Sequence, residues 1–134
     1  MEELKRRLKK HEGFRAKPYS CPAGHLTIGY GHNLTYGITE SQASDILEGD
    51  IYYASDKLMT LPWVSHLNEP RRGVCVELIF WLGFTNFRKF KNMIRAIERD
   101  DFDAAAAEIL DSGIGRDYTP RARVLADIMR RGTL

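Results

Sequence analysis

The stretch that decides the fold runs from His11 to Asn33 and reads HEGFRAKPYSCPAGHLTIGYGHN. Glu12 stands before a glycine, and Cys21 and Thr27 follow it after gaps of eight and five residues. An acid, a thiol and a hydroxyl within so short a stretch are able to converge on one cleft. We therefore predict a catalytic site here, with Glu12, Cys21 and Thr27 as its reactive groups.

The residues before Glu12 favour a short helix that ends at this acid. Leu4, Leu8 and His11 are spaced by four and three residues, and Gly13 is a natural C-terminal stop. A carboxylate there faces the negative end of the helix dipole, which favours the protonated form that a general acid needs. The simpler interpretation is an exposed glutamate near a helix end, but the neighbouring thiol and hydroxyl favour catalysis.

The segment 17–34 reads as a small twisted sheet, because prolines and glycines punctuate β-favouring residues. Gly24 suits a turn with positive φ, and Gly29 and Gly31 would let a backbone or a flat sugar ring approach closely. A hairpin of this size is not stable alone and must pack against helices. We predict a groove between the helix end, the sheet and the helical remainder.

The rest of the chain reads as helices. Thr39 and Gln42 form a capping box for a connecting helix over about 39–60. Asn68 and Pro70 precede an apolar helix that ends at Gly83 and should be buried. Further helices are predicted over 87–99, over 101–111 with Gly113 as stop, and over 119–131 with Gly132 after the end.

The spacing of Glu12, Cys21 and Thr27, continued by T-I-G-x-G-H over 27–32, resembles the phage endolysins of the T-even lysozyme type, glycoside hydrolase family 24. Segments 37–50, 71–83, 83–86 and 119–121 also resemble that family, so the likeness covers most of the chain. It implies an α+β, lysozyme-like fold, in which a small antiparallel β-hairpin sheet in an N-terminal lobe is joined by a long helix to a mostly helical C-terminal lobe. We predict one domain over 1–134, with a hairpin lobe at about 12–36, a connecting helix at about 39–60 and a helical lobe at about 62–134.

The resemblance implies cleavage of the β-1,4 bond between N-acetylmuramic acid and N-acetylglucosamine in bacterial peptidoglycan. Glu12 would protonate the leaving oxygen and Thr27 would help to hold water. Most members carry an aspartate where this chain has Cys21, and three roles stay open for the thiol. It is a thiolate base or nucleophile, with Lys17 and His25 as sources of positive charge, or a neutral thiol that orients water, or a small buried apolar residue.

Substrate-binding residues are predicted mainly from the same resemblance. They are Gly31, Asn33, Phe80, Phe87, Glu108 and Arg121. Phe87 and Glu108 stand where smaller polar groups are usual, so packing or surface roles are the alternatives. Arg121 resembles an arginine that faces the catalytic glutamate, and His32 resembles a histidine that pairs with an acid on the connecting helix, here Asp50.

Composition is consistent with one compact domain, at 134 residues and 43% hydrophobic content. The net charge is only +2, but basic residues cluster near both ends, which suits an anionic cell wall and also ordinary solvated helix faces.

The histidines and cysteines have no recognised ligand spacing, so we predict no metal and no cofactor. No apolar run suits a membrane span or a signal core, so we expect no membrane insertion, and we expect both cysteines to be free.

The leading prediction is an endolysin muramidase that lyses the host cell for phage release. By the resemblance it acts as a monomer, accumulates in the host cytoplasm and reaches the cell wall after a separate holin perforates the inner membrane. The alternative is a lysozyme-fold module that binds the wall, or a phage tail, with little or no turnover. A nucleic-acid-binding helical protein would explain the basic termini but not the glycine-rich hairpin, so no nucleic-acid partner is predicted.

Overall fold

The computed structural model describes residues 1–134 as eight α-helices and one small sheet, which confirms the predicted α+β class. The chain divides into two compact units, here called the N-terminal unit (Met1–Asp45) and the C-terminal unit (Ile46–Leu134). The boundary falls inside the helix Glu40–Leu58. The limits of these units differ from those of the predicted hairpin lobe, connecting helix and helical lobe, and the predicted division into one domain with those lobes stays a prediction.

The N-terminal unit holds the sheet. Its elements are α1 (Glu2–Glu12), β1 (Arg15–Ser20), β2 (Leu26–Gly29), β3 (His32–Asn33), a 3₁₀ turn (Leu34–Tyr36) and the start of α2 (Glu40–Leu58). The strands are antiparallel in the order β1-β2-β3, and β1 is irregular between Arg15 and Tyr19. Gly13 ends α1 with φ 72°, and its N–H donates to Lys9 O at 3.0 Å, as the predicted stop requires.

The connecting helix begins with the predicted capping box. The backbone N–H of Thr39 donates to Oε1 of Gln42 at 2.9 Å, and the backbone N–H of Gln42 donates to Oγ1 of Thr39 at 3.1 Å. Near its other end, Ala54 and Leu58 are buried in the C-terminal unit.

The C-terminal unit is helical. After the rest of α2 it contains a 3₁₀ turn (Pro62–His66), α3 (Glu69–Leu82), α4 (Phe84–Arg88), α5 (Lys91–Glu98), α6 (Phe102–Asp111), α7 (Gly113–Asp117) and α8 (Thr119–Arg131). The largest fully buried side chains all belong to this unit: Leu58, Val64, Val74, Cys75, Leu78, Phe87, Met93, Ile97, Ile109, Leu125 and Met129. The core of the chain therefore lies here, and α3 supplies part of it, as predicted.

Two predicted helices differ from the observed ones. The helix predicted over 87–99 is broken at Lys89 and Phe90, although neither glycine nor proline stands there, because Phe90 packs against the core with a non-helical backbone. Gly113 was predicted as a stop after α6, but α6 ends at Asp111 and Gly113 begins α7. There the side chain of Ser112 accepts a bond from Gly115 N and caps the new helix.

Candidate active site

The carboxylate of Glu12 lies against the hairpin turn between β2 and β3. A methyl group placed on Gly31 would lie 2.8 Å from Oε2 of Glu12 and 3.1 Å from its Cδ. Gly31 also has φ +78°, a conformation that side chains rarely adopt. A glycine at this position therefore allows the end of α1 and the turn to meet.

Cys21 begins the loop between β1 and β2, which curls around its sulfur. The loop is closed by two backbone bonds, from Cys21 N to His25 O at 2.9 Å and from Gly24 N to Cys21 O at 2.8 Å. The backbone N–H of His25 is the main cause that lowers the pKa of Cys21 below its ordinary 9.0; partial burial opposes it, and Ala23, Thr27 and Gly24 contribute smaller bonds. The main chain of this loop thus lowers the pKa of Cys21, which favours the thiolate.

This arrangement corrects one detail of the sequence interpretation. Lys17 and the charge of His25 were the predicted causes of thiolate formation, but neither acts on the pKa of Cys21. The contribution of His25 comes from its backbone N–H. The physical reason is that a tight loop directs main-chain dipoles at the sulfur whatever the charge of its side chains.

Thr27 is the one buried polar residue, at 4% exposure, and it lies on β2 opposite Tyr19 of β1 and Asn33 of β3. Its Oγ1 donates to His25 O at 2.9 Å, the same carbonyl that accepts the backbone N–H of Cys21, and its hydroxyl is one of the smaller causes that lower the pKa of Cys21. A hydroxyl has one proton to donate, so the carbonyl of His25 and a thiolate at Cys21 compete for it. The structure thus brings Thr27 and Cys21 together within one network.

Asn33 and His32 form the short β3. Oδ1 of Asn33 accepts the backbone N–H of Thr35 at 2.8 Å, which caps the following 3₁₀ turn. Nε2 of His32 donates to the carbonyl of Gly37 at 3.0 Å. The predicted pair of His32 with Asp50 joins residues of different units and stays a prediction.

A groove of about 800 Å³ runs across the C-terminal unit. It is lined by Leu47, Ile51, Ser55, Glu69, Arg72, Gly73, Val76, Glu77, Phe80 and Arg121. Phe80 is 45% exposed, so its ring is available to a ligand. Nε of Arg121 donates to Oε2 of Glu77 at 2.8 Å, and its guanidinium lies 4.0 Å from the centre of the Trp81 ring. Sequence reasoning missed Glu77, although it is the single charge in the apolar run of α3.

The two remaining predicted residues lie elsewhere in the C-terminal unit. Phe87 is 0% exposed and stacks on Trp63 with ring centres 6.2 Å apart, so its side chain belongs to the core and offers no surface to a sugar. Glu108 lines a smaller depression of about 280 Å³ together with Lys89 and Lys91. We keep Glu108 as a candidate and leave Phe87 out of the proposed site.

The structure shows no group of three His, Cys, Asp or Glu side chains placed to hold a metal ion. None of the helices combines the length and the apolar composition that a membrane crossing requires.

Comparison with known proteins gives consistent matches. A family model described as phage lysozyme matches residues 9–119. The endolysin of Acyrthosiphon pisum secondary endosymbiont phage 1 is 35% identical over 107 residues, covering 77% of this chain and 72% of that protein. The endolysin of Salmonella phage P22 is 32% identical over 130 residues, covering 87% of this chain and 88% of that protein.

Proposed function

The chain belongs to the phage lysozyme family, and on that premise we propose that Glu12, Cys21 and Thr27 carry out its reaction. As a member of that family it is a glycoside hydrolase, a muramidase whose substrate is bacterial peptidoglycan and whose role is lysis of the host cell. The observation that carries the residue assignment is the carboxylate of Glu12 held against the Gly31 turn.

In the proposed mechanism Glu12 gives its proton to the glycosidic oxygen as the bond to the anomeric carbon breaks. A Cys21 thiolate then acts in one of two ways. As a base it takes a proton from the water that attacks the anomeric carbon. As a nucleophile it attacks the anomeric carbon as the glycosidic bond breaks and forms a thioglycoside; water, giving a proton to the Glu12 carboxylate, then displaces the sulfur as thiolate. Thr27 holds the sulfur or the water through its hydroxyl.

The proposed substrate contacts are Gly31 and Asn33 in the N-terminal unit, and Phe80, Glu108 and Arg121 in the C-terminal unit. Phe80 offers an exposed ring and Arg121 is held by Glu77. We also propose that the protein acts as a monomer and waits in the host cytoplasm until a holin opens the inner membrane. This part follows the likeness to phage lysozymes alone.

Glu12→Gln tests the mechanism, because it keeps the shape of the side chain and removes the transferable proton. We expect the release of reducing ends from purified peptidoglycan to fall by about 100-fold or more, the usual range for loss of a general acid. Glu2→Gln is the matched control, since it makes the same change at the other end of α1. Equal rates in the two variants would remove Glu12 from the mechanism.

The same assay separates the alternative function. A wall-binding or tail-associated module without turnover would sediment with peptidoglycan yet release no reducing ends, even in the parent protein. Turnover in the parent that disappears in Glu12→Gln excludes that alternative.

A further inference from the structure

Two exposed aromatic side chains meet beside the catalytic acid. Phe14 is 66% exposed and Tyr30 is 45% exposed, and their ring centres lie 5.6 Å apart with the planes tilted by 47°. Nζ of Lys9 lies 5.2 Å from the centre of the Tyr30 ring. These three side chains are called the aromatic pair and its lysine below.

The aromatic pair is continuous with the proposed site. Lys9 and Glu12 are three residues apart on α1 and so lie on one side of the helix. Lys9 contacts Tyr30 and Glu12 contacts Gly31, so both meet the same two-residue turn. Phe14 follows Glu12 by two residues and Tyr30 directly precedes Gly31, so the aromatic pair and the carboxylate lie in one unit and share the same turn.

Single exposed apolar residues need no explanation, but two rings that touch each other at a reactive group do. The C–H groups of a pyranose ring carry a small positive charge and pack against the negative face of an aromatic ring, as the positive edge of a second aromatic ring does. The hydroxyl of Tyr30 and the ammonium of Lys9 supply polar groups at the edge, which match the hydroxyl and acetamido groups of an N-acetylated sugar.

We propose that Phe14 and Tyr30 form a stacking surface for one sugar ring of the peptidoglycan glycan strand, next to the bond that Glu12 protonates. This inference rests on the proposed role of Glu12. The occupant is a glycan and not a protein, because the aromatic pair is accompanied by the charges of Lys9 and Glu12 and shares its turn with the proposed proton donor.

The experiment measures binding of peptide-free glycan strands by calorimetry, with all proteins carrying Glu12→Gln so that the strands stay intact. Phe14→Leu keeps an apolar side chain and removes the ring face, and we expect it to raise Kd by about 3- to 10-fold, as loss of an aromatic contact predicts. Tyr30→Phe keeps the ring and removes one exposed hydroxyl, so it should raise Kd by no more than about 2- to 3-fold, the lower end of the range for one hydrogen bond. Tyr36→Leu is the matched control, because Tyr36 is 88% exposed in the same unit but outside the pair, and its Kd should not change.

Equal Kd values for Phe14→Leu and Tyr36→Leu would overturn the proposal, and so would the absence of measurable binding in the Glu12→Gln protein. Sedimentation analysis adds a second check: a dimer that Phe14→Leu dissociates would assign the pair to contact between copies of this chain. Failure of the proposed function gives a different result, namely undiminished hydrolysis by Glu12→Gln. Lost hydrolysis in Glu12→Gln with unaltered binding in Phe14→Leu overturns the stacking surface alone.

Discussion

Replacing Thr27 with valine tests whether the loop after β1 maintains a thiolate at Cys21. The pKa of Cys21 is lowered first by the N–H of His25, and the hydroxyl of Thr27 adds a smaller contribution. Thr27→Val keeps the shape of the buried side chain and removes that hydroxyl, so we expect the pKa of Cys21 to rise. The carbonyl of His25 loses one donor but keeps the backbone N–H of Cys21 at 2.9 Å. The fold should therefore lose only one hydrogen bond, about 1 kcal/mol.

The second cysteine provides an internal reference for the measurement. Burial raises the pKa of Cys75 to about 12. At pH 8 such a thiol is ionised in about one molecule in ten thousand, whereas a thiol at the ordinary value of 9.0 is ionised in about one in ten. The rate of alkylation by iodoacetamide, followed by peptide mass spectrometry against pH, thus reports Cys21 alone. The midpoint should lie below 9.0 in the parent and move upward in Thr27→Val.

The same shift fixes the direction of the pH dependence. Because the folded state lowers the pKa of Cys21, ionisation stabilises the fold above the unfolded value, and this contribution is lost as the pH falls through the folded pKa. If the thiolate is the active form and Glu12 acts as the acid, kcat/KM shows a bell-shaped dependence on pH, and the limb set by Cys21 moves upward in Thr27→Val. Thr35→Val is the control, since Thr35 is exposed and outside the network. A parent midpoint at or above 9.0, or an identical midpoint in Thr27→Val, would refute the reasoning.

Two further substitutions test the framework around the site. Gly31→Ala would place a methyl group 2.8 Å from the Glu12 carboxylate, so peptidoglycan hydrolysis should fall by about 100-fold, a typical result of misplacing a catalytic group by about 1 Å. Gly29→Ala meets the same backbone strain, at φ +69°, but no neighbour within 4 Å, and equal activity losses in both would contradict the steric argument. Arg71→Leu removes bonds of 2.7 and 2.9 Å to two of the last carbonyls of α8, so thermal unfolding should show a loss of about 2–4 kcal/mol. Arg72→Leu loses one bond, of 3.2 Å to the carbonyl of Leu67 outside α8, and an equal loss there would argue against the capping role of Arg71.

The parts of the fold that sequence predicted are those set by local rules. Gly13 ends α1, the capping box begins α2 and Gly132 follows α8 with a left-handed backbone, each because few residue types satisfy the local geometry. The break between α4 and α5 has no such signal. It depends on the packing of Phe90 against core residues that lie far away in sequence. Hydrophobic periodicity is a local signal, so it predicts one continuous helix across the break.

The same distinction holds for the candidate site. The meeting of Glu12 with the Gly31 turn was predictable, because a glycine-rich turn next to a helix end leaves few arrangements. The cause of the lowered pKa at Cys21 was not predictable, because residue types do not show where main-chain N–H groups will point. For Phe87 the sequence left both a substrate contact and packing open, because a phenylalanine in a helix suits a groove and a core equally well, and the structure buries it in the core.

The contrast between the two cysteines favours a thiolate over a purely structural role for Cys21. Cys75 shows what a structural cysteine is in this chain: it is fully buried in the apolar core, and burial alone raises its pKa. Cys21 is only partly buried, and its sulfur faces donors that favour the charged form. A residue that only filled space would gain nothing from those donors, so the structural role is the weakest of the three. N–H groups that stabilise a thiolate raise its abundance at neutral pH but lower its basicity and its nucleophilicity. General catalysis is a compromise between abundance and reactivity, which is best met by a group with a pKa near the working pH. The anomer of the product then separates its two chemical uses, because direct attack by sulfur retains the configuration at the anomeric carbon and activation of water inverts it.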